Sequence, residues 1–448
     1  MNVISTGAMH LPSANKNIET ARRIHAALPQ GGLFAEKAWR ISPEPFALSK
    51  KEVKALEKLG PLLLRFQKAC DMIYRRSRNG SLPGWISEYL DQGKPESLLE
   101  LGLATPVVEK TPRVIRPDLI LTESGFTATE LDSVPGGIGL TAWLEEIYSR
   151  ENPHAALVGG DHGMLDGFAS VFSEAGADIL VSEESADYRP EMEWLSGKLD
   201  GDWGVFDAES YQPNGRDVYR FFELFDLPNL PGAEAVGKAV AAGEIDIASP
   251  FKPWMEEKLW SALFWSHPLK EVWRRELRDG NWRRLQELFP MSWVVDPAEV
   301  PHHAVIPELG IQHFSEMKQF SQTERDLVLK LSGFNERAWG SKSVTIGQDV
   351  SQEDWGAAVD EAIEGYSSTP YVLQRFHSGK LVSHPWFNPE TGEMEIMEGR
   401  VRLCPYYFVS ATGSSVSLGG VLATICPSDK KVLHGMSDAI LVPCSIER

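Results

Sequence analysis

The chain has 448 residues and a formal net charge of −19. A surface that acidic repels phosphate polymers, which excludes nucleic acid as the expected partner but leaves room for a nucleotide in a local basic pocket. Hydrophobic residues at 42% and charged residues at 24% describe an ordinary folded chain, long enough for two or three domains or one large enzyme.

The first residues, MNVISTGAMHLPSANKN, show no basic segment followed by an apolar run, and nothing approaches the ~18 apolar residues of a membrane span. Cys70, Cys404, Cys426 and Cys444 have neither CxxC nor paired spacing and read as reduced thiols. The expectation is a soluble, cytoplasmic protein with no membrane partner. Residues 1–110 read as a helical N-terminal region. A short helix is expected around Ile18–Leu28. Ser49-Lys50-Lys51-Glu52 is a capping box. Val53, Leu56, Leu59, Leu63, Phe66, Cys70 and Ile73 then recur at helical steps up to Asn79-Gly80. Shorter helices are expected at Trp85–Leu90 and Glu96–Leu101, and no constellation here carries chemistry.

Residues 111–250 begin with a predicted β-hairpin. Asp118 opens a short apolar strand, Glu123-Ser124-Gly125 supplies the turn, and the chain returns through Phe126, Ala128, Glu130 and Asp132. Residues two apart on a strand share a face, so Glu130 and Asp132 point the same way and pairing brings Asp118 beside them. Three converging carboxylates repel unless a cation lies between them, and their hard oxygens suit Mg²⁺ with substrate phosphates. The plain alternative is an outward-facing acidic hairpin. Pro135-Gly136-Gly137-Ile138-Gly139 follows, then a helix from Thr141 to about Ser149. Glycines between strand and helix can let backbone N–H groups reach an anion, and a tight turn serves equally well. An α/β pattern continues with strands at Ala155–Val158, Asp178–Val181, Trp203–Phe206 and Asp217–Phe222 and a helix at Met164–Ala175. Gly159-Gly160-Asp161-His162-Gly163 lacks a partner base and reads as a turn.

Residues 251–448 open with helices at MEEKLWSALFW, Leu269–Leu277, Trp282–Phe289 and Glu316–Phe320. Lys258, on the first of these, reads by itself as a solvated surface lysine. Ser321-Gln322-Thr323-Glu324 has the pattern of a capping box, but the residues after it favour a strand. Strands are expected at Leu327–Lys330, Val344–Ile346, Tyr371–Phe376, Glu393–Met397, Val401–Val409 and Leu418–Ile425, with a helix at Gln352–Glu364. Lys330 ends its strand and enters a flap containing Gly333, Phe334, Trp339 and Gly340. An ammonium there can meet phosphate oxygens while flap amides close over them, although the spacing is no P-loop. The alternative is an edge-strand lysine that blocks aggregation. Gln374 and Arg375 end a strand whose backbone can pair with an adenine edge. Arg400 and Arg402 share a strand face, suited either to phosphate or to surface ion pairs. The histidines have no zinc-ligand spacing and no G-x-S-x-G elbow occurs.

In this order the motifs resemble the circularly permuted ATP-grasp ligases, in particular the synthetase domain of glutathionylspermidine synthase. R-x-D, a hairpin and E-x-N/D match Arg116, Asp118, Glu130 and Asp132. Glu257-Lys258-Leu259 is similar to the N-K-x-x-L helix, and Val328-Leu329-Lys330 to the V-x-K-P strand with its glycine flap. Asp217-Val218-Tyr219-Arg220, Tyr371-Val372-Leu373-Gln374 and Gly419-Gly420 complete a resemblance spanning roughly 111–425. It implies an α+β / α/β, circularly permuted ATP-grasp fold with antiparallel sheets flanked by helices. An acidic hairpin plus α/β substrate-side domain (111–250) would face a lysine-bearing ATP-binding domain (251–448). It further implies that Asp118, Glu130 and Asp132 hold Mg²⁺, and that Lys258 and Lys330 bind the ATP triphosphate under Gly333. Gln374 or Arg375 would lie near adenine and Arg402 near phosphate, with Arg116 steadying an acyl phosphate. The implied reaction joins a small-molecule or peptide carboxylate to an amine. A phosphotransferase on the same scaffold, or a degenerate nucleotide- or peptide-binding module, are the alternatives. Asp132 stands where the family has Asn, and Leu331 where it has Pro. The two lysines lie farther apart than the pattern expects, which implies an insertion near 270–320.

Overall fold

Helices and strands alternate along this chain with the hydrophobic periods that predict them, and three separate sheets result. The computed structural model describes residues 11–173, 176–338, 343–433 and 437–447. The N-terminal region holds α1 (Leu11–Ala26), α2 (Gly32–Ala35), β1 (Phe46–Leu48), α3 (Lys50–Arg78), α4 (Trp85–Asp91) and α5 (Glu96–Leu103). The predicted capping box starts α3: Glu52 N–H donates to Ser49 Oγ (3.3 Å) and Ser49 N–H to Glu52 Oε2 (2.7 Å). Its apolar stripe, from Val53 to Ile73, is buried.

The hairpin follows as β2 (Val114–Thr122) and β3 (Gly125–Asp132), leading into α6 (Ile138–Glu151) and α7 (Gly163–Ala169). Next come β4 (Asp178–Val181), α8 (Arg189–Lys198), β5 (Gly204–Asp207), β6 (Val218–Phe221), α9 (Pro231–Ala242) and β7 (Ile247–Ala248). Helices α10 (Leu259–Trp265), α11 (Lys270–Leu277) and α12 (Asp279–Leu288) precede β8 (Ser292–Val294), β9 (Leu327–Leu331) and β10 (Val344–Ile346). The chain ends with α13 (Gln352–Glu364), β11 (Tyr371–Arg375), β12 (Leu381–Asn388), β13 (Glu393–Val409), β14 (Val416–Pro427) and β15 (Ile440–Ile446).

The large sheet runs β1-β15-β14-β13-β2-β3, with β12 added beside the first half of β13. A four-stranded antiparallel sheet, β10-β9-β11-β8, faces it, and β5-β4-β6-β7 forms an all-parallel sheet. One continuous apolar core runs from Ala21 to Cys444, so the N-terminal helices share it with the hairpin and the C-terminal strands. Separate cores lie under α9 and under α13. Among the described residues no helix is long and apolar enough to cross a membrane.

Several local expectations change. The strand at 155–158 is an isolated bridge from Leu157 to Ser445, and the helix from 164 stops at Ala169. The predicted helix at 255–265 is broken: a 3₁₀ turn, Pro253–Glu256, leads into α10 only after Lys258. Gly399 does not separate two strands. A side chain there would strike the Cys426 carbonyl at 2.4 Å, so glycine lets β13 run unbroken against β14. The strand β12 was not expected; it carries Pro385 and is an edge, where a sheet tolerates proline. The Ser321–Glu324 hydrogen bonds form without a helix behind them.

Candidate active site

The hairpin register sets the acidic face. Asp118 pairs with Glu130 and Arg116 with Asp132, with an irregularity directly after Asp118. These side chains line a cavity of about 590 Å³ between the large sheet and the β10-β9-β11-β8 sheet. That size suits a nucleotide-sized ligand. The cavity wall carries Arg116, Lys258, Lys330, Arg375, Arg400, Arg402 and Lys431 against Asp118, Glu130, Asp132, Glu223, Glu256 and Asp326. Seven cations thus face six carboxylates, whereas the whole chain has 44 Lys and Arg against 63 Asp and Glu. By formal charge the cavity lining is near balance, whereas the chain as a whole is strongly acidic.

Both lysines reach the hairpin. Lys330, on β9, donates to Thr129 O (3.1 Å) and to Gln374 Oε1 (2.9 Å) on the neighbouring β11. Lys258, at the break before α10, lies 2.9 Å from Glu130 Oε1 and donates to Ser332 O (3.2 Å) and Ala338 O (3.4 Å). Neither is a solvated edge or surface lysine. Burial lowers the Lys330 ammonium to about 8; Glu130 opposes the shift and Lys258 adds to it. Lys258 moves the other way: burial lowers it, but Glu130, with Glu257 and Glu223, raises it by more in total.

Each hairpin carboxylate has a cation of its own. Asp118 lies between Arg116 Nε (3.1 Å) and Arg402 Nη1 (3.0 Å), with the Cys404 thiol 3.5 Å away. Burial first, then Asp118, pushes that thiol up to about 12, so it stays neutral. Asp132 accepts from Arg116 Nη2 (3.0 Å) and from the Val134 N–H (2.8 Å); desolvation still raises its pKa. Burial raises Glu130 too, but Lys258 and Lys330 prevail and hold it below the ordinary range. Among the described residues no three His, Cys, Asp or Glu side chains converge closely enough to cage a metal. Mg²⁺ does not require such a cage: one or two carboxylates, waters and substrate phosphates suffice. Glu130, 39% exposed and directly opposite Asp118, offers the hard oxygens that ion takes, with Lys258 its present partner.

The remaining predicted residues divide. Gln374 faces the cavity beside Lys330, its amide donating to Ser292 Oγ (3.2 Å). Arg375 also borders the cavity, yet its guanidinium donates to Glu308 O (3.1 Å) and rests over Trp293. Strand alternation turns it away from Gln374. Arg402 is engaged with Asp118, and Arg400 with Gly379 O (3.1 Å) and Ser428 O. Arg116 also donates to Gly136 O (3.0 Å). Gly333 lies where an added Cβ would come within 3.0 Å of Glu256 O, so the flap starts flush against the 256–257 backbone. Trp339 and Gly340 lie outside the described residues.

The Gly136-Gly137 turn is not an anion site. Glu191, fully buried on α8, accepts the N–H groups of Gly137 (2.7 Å) and Leu140 (2.9 Å) and occupies the start of α6 itself. Gly159 and Gly163 are glycines for packing against the Gly419 backbone, and Asp161 and His162 are exposed. Sequence reasoning missed Glu191, Cys404 and Lys94, which come from separate elements and carry no local motif. Lys94 meets Glu257 with both side chains fully buried.

No protein-family model matches the chain, and no curated protein sequence matches it. Among solved structures, the chain is similar to a glutathione synthetase-like effector from Globodera pallida, at 11% identity and a TM-score of 0.49 over 98% of each chain. It is also similar to a protein provisionally named a gamma-glutamylcysteine synthetase from Methylobacillus flagellatus KT, at 9% identity and a TM-score of 0.36 over 89% of each.

Proposed function

We propose that this protein is an ATP-dependent carboxylate–amine ligase on a circularly permuted ATP-grasp scaffold. The observation that carries the reading is the meeting of the acidic hairpin with two lysines from remote sequence: Lys330 reaches Thr129 across 201 positions, and Lys258 pairs with Glu130 in the same cavity.

On this reading the Lys258 and Lys330 ammonium groups take the triphosphate, and Gln374 or Arg375 at the end of β11 lies at the adenine edge. Glu130, with Asp118 or Asp132, would hold Mg²⁺, which when bound withdraws charge from the phosphates. A carboxylate can approach a triphosphate only when cations neutralise both anions, and the lysines and Arg116 supply those charges. A carboxylate oxygen attacks the γ-phosphorus and displaces ADP, and the acyl phosphate so formed is attacked by an amine, with loss of phosphate and a proton, to give an amide. The flap after β9 excludes water that would otherwise hydrolyse the acyl phosphate. The acidic exterior favours a cationic amine as co-substrate, and a cytoplasmic location goes with the reading.

Calorimetric titration with Mg·ATP, followed by single-turnover phosphate release across carboxylate and amine pairs, tests it. Binding with amine-dependent release is expected, abolished in Asp118→Asn and Glu130→Gln. ADP formed without a coupled product would make it a phosphotransferase instead. The ion pairing of all three carboxylates favours a second reading, a module that binds the nucleotide without turnover; no phosphate release from the wild type, with affinity retained in both variants, would establish that.

A further inference from the structure

Lys94 lies in the turn between α4 and α5, in the N-terminal helical region, and reaches the far side of the flap. Its ammonium donates to Glu257 Oε1 and lies 5.5 Å over the Phe334 ring. The two side chains are 0% and 1% exposed. The other Glu257 oxygen accepts the Ser332 hydroxyl, which itself accepts the Leu259 N–H at 3.0 Å. Ser332 O in turn accepts the Lys258 ammonium at 3.2 Å. Gly333 sits against the Glu257 carboxyl, where an added Cβ would be 3.1 Å from Cδ.

A carboxylate this buried requires a counter-charge. Glu257 and Lys258 are adjacent in the chain, and both bond to Ser332. The Glu257 carboxylate also acts on the Lys258 ammonium, so Lys258 is a cation that an unpaired Glu257 could draw. Lys94 pairs directly with Glu257, while the Lys258 ammonium sits 2.9 Å from Glu130 on the cavity side.

We infer that Lys94 is a positioning residue for the nucleotide site, and this rests on the reading that Lys258 contacts the triphosphate. It holds Glu257 so that the Lys258 ammonium projects into the cavity and the flap base stays seated. The N-terminal helical region is therefore part of the site.

The test uses the full chain, with urea unfolding to show that each variant is folded. Calorimetry measures Mg·ATP and, separately, adenosine. Lys94→Met is expected to weaken Mg·ATP about tenfold to a hundredfold, the worth of one charge-assisted contact, and to leave adenosine unchanged. Lys94→Met/Glu257→Gln removes both charges and is expected to restore Mg·ATP to within about threefold of wild type. A folded Lys94→Met with wild-type Mg·ATP affinity overturns the inference, as does equal loss for adenosine or failure of the double variant to recover. If Lys94→Met does not fold, Ser332→Ala cuts the same relay without stranding a charge. It is expected to weaken Mg·ATP about threefold to tenfold, and unchanged affinity there overturns the proposal. Absence of any wild-type Mg·ATP binding overturns the ligase reading and this inference together.

Discussion

Lys330 offers the sharpest quantitative prediction. Its ammonium is half-buried beside Thr129 O and Gln374 Oε1, and desolvation lowers it to about 8. At pH 8 about half of the free protein therefore carries a neutral lysine there, against ~0.1 at pH 7 and ~0.9 at pH 9. A triphosphate drawn alongside favours the charged form and returns its pKa above that range. Binding must then take up about half a proton per site at pH 8 and ~0.9 at pH 9. Apparent affinity should fall ~tenfold between pH 7 and pH 9, because the protonated fraction falls by that factor. Calorimetry of Mg·ATP in buffers of different ionisation enthalpy reads the uptake directly, and Lys330→Met should abolish it while weakening binding. Zero uptake at pH 8, or uptake that survives in Lys330→Met, would show that Lys330 does not meet the phosphates.

Three further predictions concern the frame around the site. Glu191 is raised to about 7, chiefly by burial, well above its value in an unfolded chain. The native state then holds a proton the unfolded state has released. Stability is fully present below about pH 4.5 and falls by up to ~3 kcal/mol as pH rises through 7. Urea unfolding across that range should show the slope, and Glu191→Gln should flatten it; an unchanged slope in the variant contradicts the assignment. Lys252 is buried against Asp71 (2.9 Å), Val108 O and Lys110 O. Lys252→Met strands a carboxylate that keeps Arg75 and Trp254 as partners, so ~3 kcal/mol, the low end for a broken buried pair, is expected in the same assay. A cost under about 1 kcal/mol would mean the pair is not buried in solution. Gly159 has φ +96, and an added Cβ would lie 1.7 Å from Gly419 O. Gly159→Ala should cost more than ~4 kcal/mol or yield no soluble protein, and a wild-type melting curve would refute the close approach.

Local patterning was legible where one element's own period or cap decides the outcome. The Ser49–Glu52 box and helical stripe located α3. The alternation of Glu130 and Asp132, with the Gly125 turn, located the hairpin and its opposition of Asp118 to Glu130. Gln352–Glu364 and Val344–Ile346 matched to the residue. Two helices with a proline at their first positions, α8 and α9, were not legible, and α8 also has little amphipathic signal.

The sequence by itself determined which residue types could hold a phosphate or a divalent cation, and on which strand faces they lie, because side-chain direction along one strand is a local property. Only the tertiary structure decided their neighbours. Lys258 became a cavity residue through the backbone break at Glu257. Arg402 was brought to Asp118 across 284 positions, and the glycine turn was filled by Glu191 from another helix. Charge pairing depends on distance in space, and no spacing along the chain encodes which remote carboxylate a buried lysine will meet.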